Sequence, residues 1–162
     1  LRSAFVSIER RDDEERSQKT DGEIAMKRLK PEGSVLIGED HPDTLRILKV
    51  VFESEGYPVD TAPDSETVLV KAIRNKPLII LLDMMLPKIG GVEVCRRLKE
   101  EISTAHIPIV IVTAKSDQEA KAGAAAAGAD AYVLKPFDPT DLIETVNKIL
   151  GRIPVVPLPQ WT

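Results

Sequence analysis

The sequence predicts an α/β fold, with five parallel strands in one doubly wound sheet and helices on both faces. Two observations predict it. Between residues 34 and 150, short apolar runs alternate with longer segments whose apolar residues recur every three or four positions. The strongest run, 77–82, is apolar on both faces, as a central parallel strand must be.

The elements follow in order. Residues 34–38 form a short apolar run that reads as a buried strand. Residues 43–55 read as a helix, with Leu45, Leu48 and Phe52 on one face. A second strand is expected over 57–61. Asp64 is a good N-cap for a helix running to Asn75. The third strand is 77–82, and a helix over 91–101 follows with Val92, Cys95 and Leu98 inward. The fourth strand is expected over 107–112. An alanine-rich helix over 117–127 stops at Gly128. A fifth strand over 131–134 and a helix over 139–150 complete the alternation, the latter with Leu142, Val146, Ile149 and Leu150 on one side. Alternating strands and helices form βαβ units. Right-handed crossovers place helices on both faces, and the flavodoxin-like strand order 2-1-3-4-5 is expected.

The flanks differ in composition. Residues 1–33 read as a charged leader or linker, with mixed charges dense over 9–16; the sharper reading is the end of an upstream or dimerising helix. Residues 151–162 hold Pro154, Pro157 and Pro159 and read as an extended tail. The first residue is Leu, not Met, so a piece of a longer product is expected. The few residues after Leu150 are too short for a DNA-binding helix-turn-helix. A stand-alone protein or part of a larger one, such as a hybrid sensor kinase, are the two options.

Composition excludes several classes of function. The 162 residues, 43% hydrophobic and 30% charged, suit one domain with extensions. A net charge of −4 argues against nucleic-acid binding through phosphate contacts. No apolar run is long enough to span a membrane, and no signal-peptide pattern opens the chain. Cys95 is the single cysteine, which excludes an internal disulfide and a cysteine zinc cage. His41 and His106 are the only histidines, too few for a multi-histidine metal site. A cytoplasmic location is expected.

Ligands of such sheets bind beyond the carboxyl ends of the strands. There the sequence places Glu39 and Asp40 after the first strand, Asp83 after the third, Thr113 after the fourth, and Lys135 and Pro136 after the fifth. Three carboxylates in one crevice repel one another, and a hard divalent cation offsets that repulsion. A carboxylate can attack phosphorus. An ammonium and a metal stabilise charge on the transferred group.

These residues sit in four segments. They are Glu39-Asp40; Leu82 to Pro87, followed by Gly90-Gly91; Val112 to Lys115; and Gly128 to Phe137. With all four in order, residues 34–150 resemble the receiver domain of two-component response regulators. The resemblance implies a phosphorylation-controlled switch. It implies Asp83 as phosphoacceptor, supported by Lys135 and Thr113, with a cis bond between Lys135 and Pro136. It implies Mg2+ (or Mn2+) held by Asp40, Asp83 and the backbone carbonyl of Met85, with Glu39 acting through a metal-bound water. Thr113 and Tyr132 resemble the switch pair: as the hydroxyl turns towards the phosphoryl group, the ring rotates inward. Output is then expected through the fourth helix, fifth strand and fifth helix, a face that also offers homodimerisation. The implied partners are a cognate histidine kinase or histidine phosphotransfer protein and a downstream protein target, with no nucleic acid or membrane. Such a protein catalyses only its own phosphorylation and dephosphorylation, so it is not an enzyme turning over a metabolite.

Plainer readings stand beside these. Glu39 and Asp40 also read as acids capping the first helix, Asp83 as a turn residue, Lys135 as a surface lysine, Thr113 as a helix cap and Tyr132 as a static aromatic. His41 reads as a surface residue at a helix start, and Cys95 as core. Gly90 stands where many receivers carry an acid. Met85 offers no hydrogen bond to orient water, which implies slow self-dephosphorylation. The chief rival is a pseudo-receiver, a phosphorylation-independent interaction module. A flavodoxin-like cofactor carrier is disfavoured because residues 39–43 are acidic and Pro42 lacks an N–H. A hydrolase with an aspartyl-phosphate intermediate is disfavoured because Met85 stands where such enzymes place a second carboxylate.

Overall fold

Strand β3 (Ile79–Leu82) is buried along its whole length, and the other elements are arranged around it. A computed structural model describes residues 32–152. The charged leader and the proline-rich tail lie outside the described residues except for their inner ends. Strands β1 (Val35–Gly38), β2 (Val59–Ala62), β4 (Ile109–Thr113) and β5 (Ala131–Leu134) join β3 in a parallel sheet of order β2-β1-β3-β4-β5. This is the expected fold.

Among the described residues, four helices connect the strands and a fifth follows the last strand. Helix α1 (Pro42–Ser54) starts on Pro42, where a missing N–H costs no helical bond. Helix α2 (Ser65–Asn75) is capped as expected by Asp64, whose carboxylate accepts the Thr67 N–H at 2.8 Å. Helix α3 (Gly91–Glu100) follows the loop after β3. Asp117 caps α4 (Gln118–Ala126), and Asp138 caps α5 (Pro139–Ile149). Among the described residues, no helix is long and apolar enough to cross a membrane.

Each face of the sheet has its own core. On one side, Leu48 and Phe52 of α1 and Leu142 and Val146 of α5 cover Val35, Ile37, Ile79, Leu81, Val110 and Val112. On the other, α2, α3 and α4 cover Leu36, Ile80, Leu82, Ile109 and Ile111. Successive residues of a strand point to opposite faces, so strands serving two cores are apolar throughout.

The differences from the sequence reading are local. Strands two, three and four begin two residues later than expected. Tyr57 packs edge-on against Phe52 instead of entering the ladder, and Pro58 and Pro108 have no N–H to donate to one. In α3, Val94 is fully buried beside Cys95 and Leu98, whereas Val92 is only partly so. Cys95 and Leu98 are thus inward as expected, with Val94 in the place expected of Val92.

Candidate site at the carboxyl ends of the strands

The parallel register brings the strand ends level. Gly38 pairs with Leu82, Leu82 with Ile111, and Thr113 with Leu134. The next residues of β1, β3 and β5 are Glu39, Asp83 and Lys135, which therefore emerge on one edge of the sheet. The Asp83 N–H donates to the Gly38 carbonyl at 2.9 Å, and the Lys135 N–H to the Thr113 carbonyl at 2.9 Å. These bonds continue the ladder one step beyond the strands and hold the side chains in place.

Lys135 bridges two buried carboxylates. Its ammonium donates to Asp83 Oδ2 at 2.7 Å and to Glu39 Oε2 at 2.6 Å. The other oxygens are also engaged: Glu39 Oε1 accepts the His41 N–H at 3.0 Å, and Asp83 Oδ1 the Met85 N–H at 2.9 Å. Asp40 is exposed at the rim. Carboxylate oxygens of Glu39, Asp40 and Asp83 all lie within 4.8 Å of one another. This all-oxygen donor set fits a hard divalent cation. The peptide bond between Lys135 and Pro136 is cis.

Burial disfavours the Lys135 ammonium, but its hydrogen bonds to Asp83 and Glu39, reinforced by their charges, outweigh this and raise its pKa above 10.5. The folded state therefore holds this proton more tightly than the unfolded chain. The stabilisation is complete below the ordinary lysine pKa and is lost as pH rises through the raised value. Removing the cation leaves two carboxylates facing each other out of water. Wild type is expected to exceed Lys135→Ala by about 3 kcal/mol in urea denaturation near pH 8, with the gap closing as pH rises through the raised lysine pKa. A gap unchanged over that range would refute the coupling.

Thr113 is fully buried at the end of β4, and its hydroxyl lies 3.4 Å from the Lys115 N–H. It is not the cap of α4, a role filled by Asp117. The Tyr132 ring packs against the core under α2, α3 and α4, and its hydroxyl donates to the Lys115 carbonyl at 2.6 Å. Burial raises the Tyr132 pKa, with Asp117 and Asp83 adding to it through their charges. Thr113 and Tyr132 thus reach the backbone N–H and carbonyl of one residue, Lys115. The plain reading of Glu39 and Asp40 as helix caps does not hold: His41 occupies that position, without a side-chain cap.

The structure brings Glu39, Asp40, Asp83 and Lys135 together, with Thr113 at the end of β4 and Met85 on the loop after β3. The exposed side chain of Met85 contributes no polar group. Sequence reasoning missed two residues that hold the loop after Asp83: Ser65, at the start of α2, and Lys88, in the loop itself, which reaches back to Glu66. A serine beside a helix cap carries no signal of such a role.

Comparison with known proteins agrees with this geometry. Residues 35–147 match the family model of the response regulator receiver domain. The response regulator ArlR of Staphylococcus aureus is 42% identical over 120 residues, covering 74% of this chain and 53% of the relative. This chain therefore spans about half the length of that relative. A two-component response regulator from Clostridium difficile has 28% identity and a TM-score of 0.70, over 75% of this chain and 98% of that one. The receiver domain of a Pseudomonas aeruginosa sensor histidine kinase, solved with a magnesium ion coordinated in its active site cleft, has 26% identity and a TM-score of 0.70. That likeness covers 75% of this chain and 99% of the other.

Proposed function

This chain belongs to the response regulator receiver domain family, and we propose that it is a phosphorylation-dependent switch with Asp83 as the phosphoacceptor. The observation that carries the proposal is the Asp83 carboxylate, 2.7 Å from the Lys135 ammonium and within 4.8 Å of the oxygens of Glu39 and Asp40.

An Asp83 oxygen attacks the phosphorus of a phosphohistidine on a histidine kinase or phosphotransfer protein. The P–O bond forms as the P–N bond breaks, and the histidine leaves with the electron pair. Asp40, Asp83 and the Met85 carbonyl would hold Mg2+ or Mn2+ directly, and Glu39 through water. When bound, the ion neutralises charge on the phosphoryl oxygens. Lys135 keeps its ammonium at the same edge and pairs with the phosphoryl group once Asp83 carries it as an acyl phosphate. The Thr113 hydroxyl donates to a phosphoryl oxygen. Its movement disturbs Lys115 and, through the bond from its hydroxyl, Tyr132. The surface formed by α4, β5 and α5 then reports the event to a protein target, in the cytoplasm.

Residues 34–150 are the unit that carries this function. In the test, the protein is incubated with a small phosphodonor and Mg2+ and its intact mass is read. A gain of about 80 Da, abolished by a chelator, is expected for one phosphoryl group. No gain with the folded protein would favour the pseudo-receiver.

A further inference from the structure

We infer that Ser65, at the first turn of α2, is a positioning residue for the divalent cation, holding the loop that carries the Met85 carbonyl. The inference rests on the metal-dependent reading of the site above.

Ser65 is fully buried, and its hydroxyl is used twice. Oγ donates to the Pro87 carbonyl at 2.8 Å and accepts the Ile89 N–H at 2.9 Å. The Ser65 N–H donates to the same carbonyl at 3.2 Å. Between the two ends of this clamp, Lys88 adopts a left-handed φ of 78° and reaches Glu66 at 2.8 Å and Asp64 at 3.7 Å. That conformation is uncommon for a lysine and is held where surrounding contacts determine it. On the near side, the Met84 carbonyl accepts the Gly91 N–H at 3.0 Å. Only Met85 and Leu86 lie between the fixed groups of Met84 and Pro87.

Leu86 is buried in the core, and this fixes where the loop lies. Apolar contact is not directional, so it does not fix how the peptide planes turn. Hydrogen bonds do. Ser65 is thus the side chain that sets the orientation of the backbone just after Met85. Without its hydroxyl, the Ile89 N–H loses its partner and the Pro87 carbonyl keeps one donor of two. The loop can then rotate, and the Met85 carbonyl loses its alignment with the carboxylates. Groups that orient a ligand from behind it commonly change metal affinity by ten-fold or more.

The test is calorimetric titration of Mg2+ into the unphosphorylated protein. Ser65→Ala is compared with wild type and with Val146→Ala, which opens a cavity in the opposite core. We expect about ten-fold weaker Mg2+ binding in Ser65→Ala and wild-type affinity in Val146→Ala. Equal affinities in wild type and Ser65→Ala overturn the inference and leave the proposed function standing. Equal weakening in both variants also overturns it, because loss of stability alone would then be the cause. No Mg2+ binding by wild type removes both. Should Ser65→Ala fail to fold, the wild-type protein still decides. Coupling between two sites is reciprocal, so Mg2+ must slow amide exchange at Ile89 if the clamp favours binding. An unchanged Ile89 exchange rate overturns the inference.

Discussion

Replacing Asp83 with asparagine is expected to abolish phosphorylation while leaving the protein folded. The amide is not a nucleophile towards phosphorus, and no other described carboxylate stands both at the end of the central strand and against Lys135. Glu39 is the one alternative within reach of the ammonium, but it follows the neighbouring strand β1 and is more deeply buried than Asp83, 2% against 8% exposed. The mass gain seen with wild type should therefore vanish in Asp83→Asn, not merely slow. Stability should change little, by about 1 kcal/mol or less. The introduced amide has one acceptor oxygen for two donors, so it loses either the bond from Lys135 or that from the Met85 N–H, but the substitution also removes one of three mutually repelling carboxylates. A phosphoryl group that persists on Asp83→Asn would sink the assignment. Loss of both labelling and fold would leave it undecided, so the urea midpoint is measured on the same preparation.

The second large effect is expected at Gly91, through geometry instead of chemistry. A Cβ added there would overlap the Asp83 carbonyl oxygen and crowd the Met84 Cα. Both are backbone atoms at the end of a fully buried strand, so neither can turn aside as a side chain would. Accommodation requires α3 to move off β3 or the Asp83 peptide to shift, and either disturbs the site. Gly91→Ala should cost about 3 kcal/mol or more in urea denaturation and reduce the rate of phosphorylation in the fraction that folds. Gly90 provides the contrast. Its φ of 81° is unfavourable for other residues, but an added Cβ would make only an ordinary contact, 3.7 Å from the Met84 carbonyl. With a ψ of 163° the position also lies in a region almost reserved for glycine, so Gly90→Ala should cost the strain alone, about 2 kcal/mol. Equal losses at the two positions would show that overlap is not the cause at Gly91.

The acid that many receivers carry before this glycine would have to adopt the same backbone angle here. The departure at Gly90, visible in the sequence, thus acquires a local physical reason.

Much of the fold was legible because both periods are strong. An apolar run such as 77–82 has no stable place except the centre of a sheet. The residues at the strand ends could be listed from the sequence because parallel strands share one direction. Their mutual distances could not, since these depend on register. The ladder bonds at Asp83 and Lys135 fix that register to one residue. Strand starts were misjudged at Tyr57 and Ile107 because both are buried without being paired. Apolarity reports burial and says nothing about hydrogen bonding. Ser65 was invisible for a related reason: its partners are main-chain groups twenty-two to twenty-four residues away, and backbone atoms leave no trace in a sequence.

Helix α4 has one further consequence. It buries a single residue, Ala124, whereas α3 buries Val94, Cys95 and Leu98. An alanine side chain removes little apolar surface from water, so each turn of α4 is held by a fraction of the free energy that holds α3. Gly123, in the helix interior, lowers it by about 1 kcal/mol relative to alanine. Local unfolding is therefore least costly in the helix that follows Thr113 and Lys115. Native-state hydrogen exchange should rank α4 as the first helix to lose protection and α3 and α5 among the last. The sheet supplies the rigidity that chemistry at Asp83 needs. The helix beside it is, by composition, the least costly of the described helices to rearrange.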